Sequence, residues 1–165
     1  MDILIMSKTK TKTVVILPAY NESLTIVGTI LDFSRELPDA EIVVIDNNSS
    51  DDTYELAKSI ITENQINGRI LSESSQGKGF AIRKAFMEID ADIYIMVDAD
   101  LTYPAKDIHK LIRPVIDGDA DIVVGDRHFS GHYQKENKRK FHSFGNNLVK
   151  NMINFLFKSK LNDIM

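Results

Sequence analysis

Short β-branched apolar runs alternate with helix-like stretches along most of this chain. The runs have the length and composition of strands and cover residues 13–17, 41–46, 69–72, 93–98 and 121–125. The stretches between them carry apolar residues at helical spacing and cover residues 23–36, 53–64, 78–89 and 107–117. This alternation predicts an α/β fold with a mostly parallel central sheet and helices on both faces.

The composition is that of one globular domain. With 165 residues, 43% of them hydrophobic and 27% charged, the chain can build one core but not two full domains. It has no cysteine, so a bound metal must be held by carboxylates or histidines. No apolar run approaches the ~20 residues that span a bilayer. We therefore expect a cytoplasmic protein whose contact with a membrane, if any, is peripheral.

Charge is divided unevenly along the chain. Residues 131–165 carry seven Lys or Arg against two acids, a net of +5, and because the whole chain is −4 the first 130 residues carry −9. We therefore distinguish a polar lead-in (1–12), a core (13–130) and a basic tail of the same domain (131–165). The tail either meets an anionic phosphate or lipid, or is an ordinary solvated helix face.

Polar segments follow every predicted strand. In parallel sheets, ligands bind beyond the carboxyl ends of the strands, so these segments are the candidates for chemistry. They are Pro18-Ala19-Tyr20-Asn21-Glu22, Asp46-Asn47-Asn48-Ser49-Ser50-Asp51-Asp52-Thr53, Gly77-Lys78-Gly79, Asp98-Ala99-Asp100 and Gly125-Asp126-Arg127.

The pair Asp98 and Asp100 ends an apolar run, and in an extended chain residues two apart project to one face. Two carboxylates held together need a cation, and an oxygen-only site suits Mg²⁺ or Mn²⁺ shared with a diphosphate. The alternative is a pair of acids that caps the turn before the next helix.

Acids and amides at the ends of the first two strands allow two interpretations. Asp46 is suited to accept hydrogen bonds from a base or ribose, but its segment also provides a helix entry. Asn21 is a good N-cap for the first helix, and the negative charge of Glu22 interacts favourably with the positive end of that helix's dipole. Local structure therefore accounts for part of this motif.

Two other patterns fail the tests for better-known sites. Gly77-Lys78-Gly79 lacks the preceding glycine and the following Ser or Thr of a Walker A loop, and Ile82 occupies the last glycine position of a dinucleotide fingerprint. What remains is a flexible turn with one lysine, Lys78, that could bind a phosphate. His128 and His132 are interpreted as loop histidines.

Taken in order, the five strand-end motifs resemble those of the family 2 glycosyltransferases, and most of all the dolichol-phosphate mannosyltransferase and bacterial polyprenyl-phosphate branch. The resemblance runs from about residue 13 to residue 165. It implies a GT-A fold. It also implies a nucleotide-sugar site made of Pro18, Ala19, Tyr20, Glu22, Ile45, Asp46, Lys78, Asp98, Ala99, Asp100 and Arg127.

The same resemblance assigns roles in the reaction. Asp98 and Asp100 would hold the Mg²⁺ or Mn²⁺ ion, and Arg127 would contact the phosphates of the donor. An acceptor phosphate would meet Lys135, Arg139 and Ser143. The implied partners are a nucleotide-diphosphate sugar and a polyprenyl phosphate, at the inner face of the membrane, with no nucleic acid; the oligomeric state is left open.

This chain departs from the family pattern at three points. Thr102 and Tyr103 stand where related enzymes often have Gln-His, and Asn47 stands where many relatives carry a further Asp. The last residues, 161–165, fall where the family continues with a small residue, a Gly, an aromatic residue and an Arg, so we expect a C-terminally truncated form.

The predicted reaction is an inverting transfer of a sugar to a polyprenyl phosphate. A phosphate acceptor needs no general base, whereas a hydroxyl acceptor would, and Asp163 is then the candidate. The alternatives are a family 2 enzyme acting on a polysaccharide or other hydroxyl acceptor, a nucleotidyltransferase, and a non-catalytic nucleotide-binding or receiver domain. The acidic, glycine-free segment 18–22 argues against the nucleotidyltransferase, and acids after the second and fourth strands argue against the receiver.

Overall fold

A computed structural model describes residues 11–125 of the chain. These residues belong to two compact units that divide at Lys110, the first holding the sheet and the second beginning at Leu111. The elements are β1 (Thr13–Ala19), α1 (Ile26–Glu36), β2 (Glu41–Asp46), α2 (Thr53–Glu63), β3 (Gly68–Ser72), α3 (Lys78–Glu88), β4 (Ile93–Met96), a 3₁₀ turn (Ala105–Asp107) and α4 (Ile108–Ile116).

The sheet has four parallel strands in the order β3-β2-β1-β4. The two inner strands are buried along almost their whole length, which accounts for their continuous Val, Ile and Leu runs. On one face, Val14, Ile16, Val43 and Ile45 pack with Ala81 and Ala85 of α3. The predicted α/β fold is confirmed.

The strand order creates a switch point between β1 and β4. The chain steps from β1 to β2 to β3 in one direction and then crosses to β4 on the far side of β1. Because crossover connections are right-handed, the reversal puts α3 on the opposite face of the sheet from α1 and α2. In open parallel sheets, the crevice beyond the carboxyl ends at such a point is where ligands bind.

The fifth predicted strand does not form in the described residues. Residues 121–125 have no strand pairing, and Ile122 and Val124 are 82% and 83% exposed. A β-branched run becomes a strand because its side chains pack against neighbours, whereas the side chains of Ile122 and Val124 are exposed. The prediction of a strand over residues 121–125 was therefore wrong.

Candidate active site

The segments after β1 and β2 are joined by hydrogen bonds between residues far apart in the sequence. The backbone N–H of Glu22 donates to the Thr53 hydroxyl at 2.8 Å, and the N–H of Ser23 donates to Asp51 Oδ2 at 3.1 Å. The Asn21 side chain accepts a 2.8 Å bond from the N–H of Ser50. We call residues 20–23 and 46–53, held together in this way, the nucleoside half of the site.

Asn21 is not the N-cap of α1. It lies in the left-handed region with φ of 55°, a conformation that Asn tolerates better than most residues, and α1 begins five residues later at Ile26. Its side-chain oxygen bonds to Ser50 instead of to the first turn of α1. The N-cap prediction was therefore wrong, because a bond to a distant loop replaced the local one.

Asp51 is the hydrogen-bonded centre of the nucleoside half. Its Oδ1 accepts bonds from the hydroxyl of Thr53 at 2.5 Å and from the backbone N–H of Thr53 at 3.1 Å. The hydroxyl bond, followed by bonds from Ser23, lowers the pKa of Asp51 from 3.8 to about 2. The carboxylate therefore stays charged at any physiological pH and keeps the two segments joined.

Asp46 ends β2 with a carboxylate that is almost completely enclosed. The residue is 7% exposed, and its Oδ1 is buried with no hydrogen-bond partner. Its backbone carbonyl accepts a bond from Glu73, so the unpaired atom belongs to the side chain alone. Buried polar atoms in native proteins are nearly always paired, so this oxygen lacks a bond that a donor group would be expected to make.

The other predicted nucleotide contacts differ in what they expose. Tyr20 is half exposed, whereas Ile45 is fully buried in the core cluster below α3 and would reach a ligand only through its main chain. Ala19 and Ala99 are also buried, and their carbonyl oxygens accept bonds from the Asn47 N–H and the Thr29 hydroxyl respectively.

Asp98 and Asp100 follow β4, but not in an extended chain. Ladder pairing ends at Val97, whose N–H donates to Ile16 O, and the chain then bends, with Leu101 at φ of 60°. Residues 98–100 are therefore not the extended strand end that the sequence predicted. Asp98 is partly buried and pairs with Lys78, whereas Asp100 is exposed and accepts a 3.0 Å bond from the N–H of Thr102.

Lys78 is the first residue of α3, and its ammonium group contacts Asp98 Oδ1. The predicted phosphate-seeking lysine and one predicted metal ligand thus meet at the same place. The side chains are 56% and 34% exposed, so the pair is open to solvent. We call Lys78 and residues 98–102 the metal half of the site.

The oxygen donors of the metal half fit a hard divalent cation but do not complete a coordination shell. Within residues 11–125, no three His, Asp or Glu side chains gather into a metal-binding group. Mg²⁺ and Mn²⁺ are commonly held by one or two carboxylates, with substrate phosphates and water supplying the other ligands. Asp98 and Asp100 match that arrangement if a diphosphate is bound at the same time.

The predicted site residues Arg127, Lys135, Arg139, Ser143 and Asp163 lie outside the described residues, as do the apolar helix face predicted over 148–156 and the two loop histidines, His128 and His132. Their roles stay predictions. No helix among residues 11–125 is both long and apolar enough to cross a bilayer.

An open pocket of about 330 Å³ lies at the opposite end of the sheet. It is lined mainly by residues that precede β2 and β3, among them Leu37, Pro38, Asn64 and Gln65, and Arg35 is its only charged residue. It holds no carboxylate and none of the strand-end motifs. The candidate site residues therefore lie at the carboxyl edge of the sheet and not in this pocket, and a ligand would bind them in an open crevice.

Comparison with proteins of known sequence agrees with the geometry. The model of the family described as "Glycosyl transferase family 2" matches residues 14–163. Protein RfbJ of Shigella flexneri is 40% identical over 117 residues, covering 71% of this chain and 86% of that protein. The dolichol-phosphate mannosyltransferase of Pyrococcus furiosus is 33% identical over 122 residues, covering 73% of this chain but only 34% of that enzyme.

Solved structures give the same fold. The glucosyl-3-phosphoglycerate synthase of Mycobacterium tuberculosis, in complex with Mn²⁺, UDP and phosphoglyceric acid, superposes with a TM-score of 0.55 at 28% identity, covering 66% of this chain and 40% of that one. A mannosyltransferase of Pyrobaculum calidifontis, in complex with GDP-Man and Mn²⁺, gives 0.51 at 28% identity, covering 61% and 30%. The expected GT-A fold is confirmed, and the chain belongs to glycosyl transferase family 2.

Proposed function

We propose that this chain binds the donor of a glycosyl transfer, a nucleotide-diphosphate sugar, in the crevice beyond β1, β2 and β4. The observation that carries the proposal is the buried, unpaired Oδ1 of Asp46. A buried carboxylate oxygen without a partner is costly, and an N–H of a base or an O–H of a ribose would satisfy it. The exposed ring of Tyr20 follows the neighbouring strand β1, at the same edge.

The diphosphate would then reach the metal half. Lys78 offers a positive charge, and Asp98 and Asp100 offer oxygen ligands for Mg²⁺ or Mn²⁺. The ion would supply neutralisation of the charge that develops on the leaving diphosphate. The solved complexes of two similar proteins, which contain Mn²⁺ with UDP or with GDP-Man, support this assignment.

In the proposed reaction, an oxygen of the acceptor forms a bond to the anomeric carbon while the bond from that carbon to the β-phosphate oxygen breaks. The electron pair leaves with the nucleoside diphosphate, and the configuration inverts. The residues of this chain bind and orient the donor. Lys78 of α3 and Arg127, which lies outside the described residues, stabilise the charge on the departing diphosphate.

We further propose a polyprenyl phosphate as the acceptor, bound by Lys135, Arg139 and Ser143 at the cytoplasmic face of the membrane. The support is the +5 charge of residues 131–165 and the similarity to a dolichol-phosphate mannosyltransferase. A non-lipid acceptor is the second candidate, because a similar solved enzyme, glucosyl-3-phosphoglycerate synthase, was crystallised with phosphoglyceric acid.

Donor binding is tested by thermal shift and calorimetry with UDP and GDP in the presence of Mn²⁺, since a ligand of the native state raises stability by mass action. Asp46→Asn should weaken binding roughly 10- to 100-fold, the range for loss of a charged hydrogen bond. Asp90→Asn is the matched control, because Asp90 is exposed and lies outside both halves of the site. Equal affinities of the wild type and Asp46→Asn would refute the assignment of Asp46.

The acceptor is tested on the whole protein, because the chain spans about a third of the length of some relatives. Radiolabelled sugar from GDP-mannose or a UDP-sugar is offered with polyprenyl phosphate, with 3-phosphoglycerate or with an oligosaccharide. Label in the lipid phase that is lost in Arg139→Glu supports the polyprenyl phosphate. Label only in the water-soluble acceptors would overturn it.

A further inference from the structure

Asn47 connects β2 to the segment between β3 and α3. It is 4% exposed, and its side-chain amide donates to the carbonyls of Glu73 at 3.2 Å and Ser75 at 2.6 Å. Its side-chain oxygen accepts a 2.7 Å bond from the N–H of Gly77. Both amide hydrogens and the amide oxygen are therefore used, and all three bonds reach one segment, residues 73–77.

That segment determines where α3 begins. It starts with the Glu73 N–H bonded to Asp46 O at 2.8 Å, and the Glu73 carboxylate accepts a 2.7 Å bond from the N–H of Ser75. It ends at Gly77, whose φ of 131° is a conformation that side chains disfavour. Lys78 follows at once, so the bond from Gly77 to Asn47 fixes the backbone from which the Lys78 side chain leaves.

The position of Lys78 matters because its ammonium group meets Asp98 in the metal half. The body of α3 is anchored to the sheet by Ala81 and Ala85, which are fully buried. Its first residue has no such anchor, since Lys78 is more than half exposed. The direction of Lys78 therefore depends on residues 73–77, and these depend on Asn47.

The contacts of Asn47 require an amide. Two carbonyl oxygens need donors and one N–H needs an acceptor, which a carboxylate cannot supply together. An Asp at this position would set a charged oxygen against the carbonyls of Glu73 and Ser75 in a buried place. The side chain of Asn47 is therefore matched to the segment it holds.

We propose that Asn47 is a positioning residue that directs Lys78 toward Asp98 and toward the diphosphate of the donor. The diphosphate in this proposal rests on the proposed function, whereas the contacts of Asn47 and Lys78 do not depend on it. It predicts that Asn47 and Lys78 act as one unit, so their effects on nucleotide binding are not additive.

The test is a double-mutant cycle with Asn47→Asp and Lys78→Met, read by calorimetry with UDP or GDP and Mn²⁺. Lys78→Met should weaken binding roughly tenfold in the wild type, as expected for loss of a charge-assisted contact. In the Asn47→Asp background, it should weaken binding less than about twofold, because Lys78 is already displaced. Asn64→Asp is the control, since it makes the same change at an exposed residue after α2, outside both halves of the site.

A tenfold effect of Lys78→Met in both backgrounds would overturn the proposal and leave Asn47 a merely structural residue. If the wild type binds neither nucleotide, the proposed function fails, and a readout without ligand decides the role of Asn47. Amide exchange over residues 73–80 should accelerate about tenfold in Asn47→Asp, but not in Asn64→Asp, while exchange in β1 is unchanged. Unchanged exchange over 73–80 would also overturn the proposal. Asn47→Ser, which brings no charge, replaces Asn47→Asp in both assays if that variant does not fold.

Discussion

The two halves of the site are held in different ways. In the nucleoside half, residues 20–23 and 46–53 are joined by hydrogen bonds that cross between the segments after β1 and β2, centred on Asp51 and the buried Thr53. In the metal half, Lys78 and Asp98 form a solvent-open ion pair, and Asp100 bonds within its own segment to Thr102. We therefore expect the nucleoside half to be preorganised, and the metal half to gain its final arrangement when the proposed diphosphate and cation bind.

Removal of the divalent cation gives the largest expected effect and separates the two halves. We expect EDTA, or Asp100→Ala in the presence of Mn²⁺, to weaken UDP or GDP binding by roughly 100-fold, equal to ~2.7 kcal/mol. Uridine or guanosine, which have no phosphate, should bind equally well with and without the cation. Calorimetry measures both, with Asp90→Ala as an exposed control of equal charge. Equal diphosphate affinity in Mn²⁺ and in EDTA would refute the metal assignment.

Thr53→Val tests the preorganisation of the nucleoside half. The variant keeps the shape of a fully buried side chain but removes the hydroxyl that links the Glu22 N–H to Asp51. It should lower the free energy of unfolding by about 1–3 kcal/mol, the cost of leaving buried groups unpaired. Urea denaturation gives the value. Thr62→Val, at an exposed position of α2, is the control, and a similar change in both variants would count against the linkage.

Lys78→Met tests the metal half without ligand. An ion pair this exposed contributes little, so the free energy of unfolding should change by less than about 1 kcal/mol. The same urea experiment measures it. A loss as large as that of Thr53→Val would mean that the metal half is also structurally fixed, and the contrast between the halves would not hold.

Asp51→Asn should have an effect on stability that depends on pH. Because the pKa of Asp51 is lowered from 3.8 to about 2, its charged form is favoured by the fold. This stabilisation is fully present above about pH 5 and is lost as the pH falls toward 2. The difference in free energy of unfolding between wild type and variant should shrink over that range. A difference that grows as the pH falls would contradict the assignment.

The sequence predicted the elements well where local pattern and burial agree. The bounds of β2 and the start of α3 at Lys78 are as predicted, because inner-strand runs and a glycine before a helix are strong local signals. The fifth strand was wrong because the β propensity of Ile122 and Val124 is not matched by burial.

The site was predicted in its residue types but not in its contacts. Asp46, Lys78 and Asp98 were named from their places after strands, and the structure brings Lys78 and Asp98 together. The bonds of Asn21 to Ser50 and of Asn47 to Gly77 join residues 29 and 30 positions apart. No local spacing signals such bonds. The sequence therefore favoured a helix N-cap for Asn21 and, for Asn47, indicated only the loss of a carboxylate charge.

The difference between the halves is tested most directly by amide hydrogen exchange with and without UDP or GDP and Mn²⁺. Residues 97–103 should become protected by about tenfold or more on binding, while backbone exchange in residues 47–53 changes less than about twofold, because that segment is already held. Strong new protection in residues 47–53 with none in residues 97–103 would contradict the account, since it would make the nucleoside half the part that the ligand has to order.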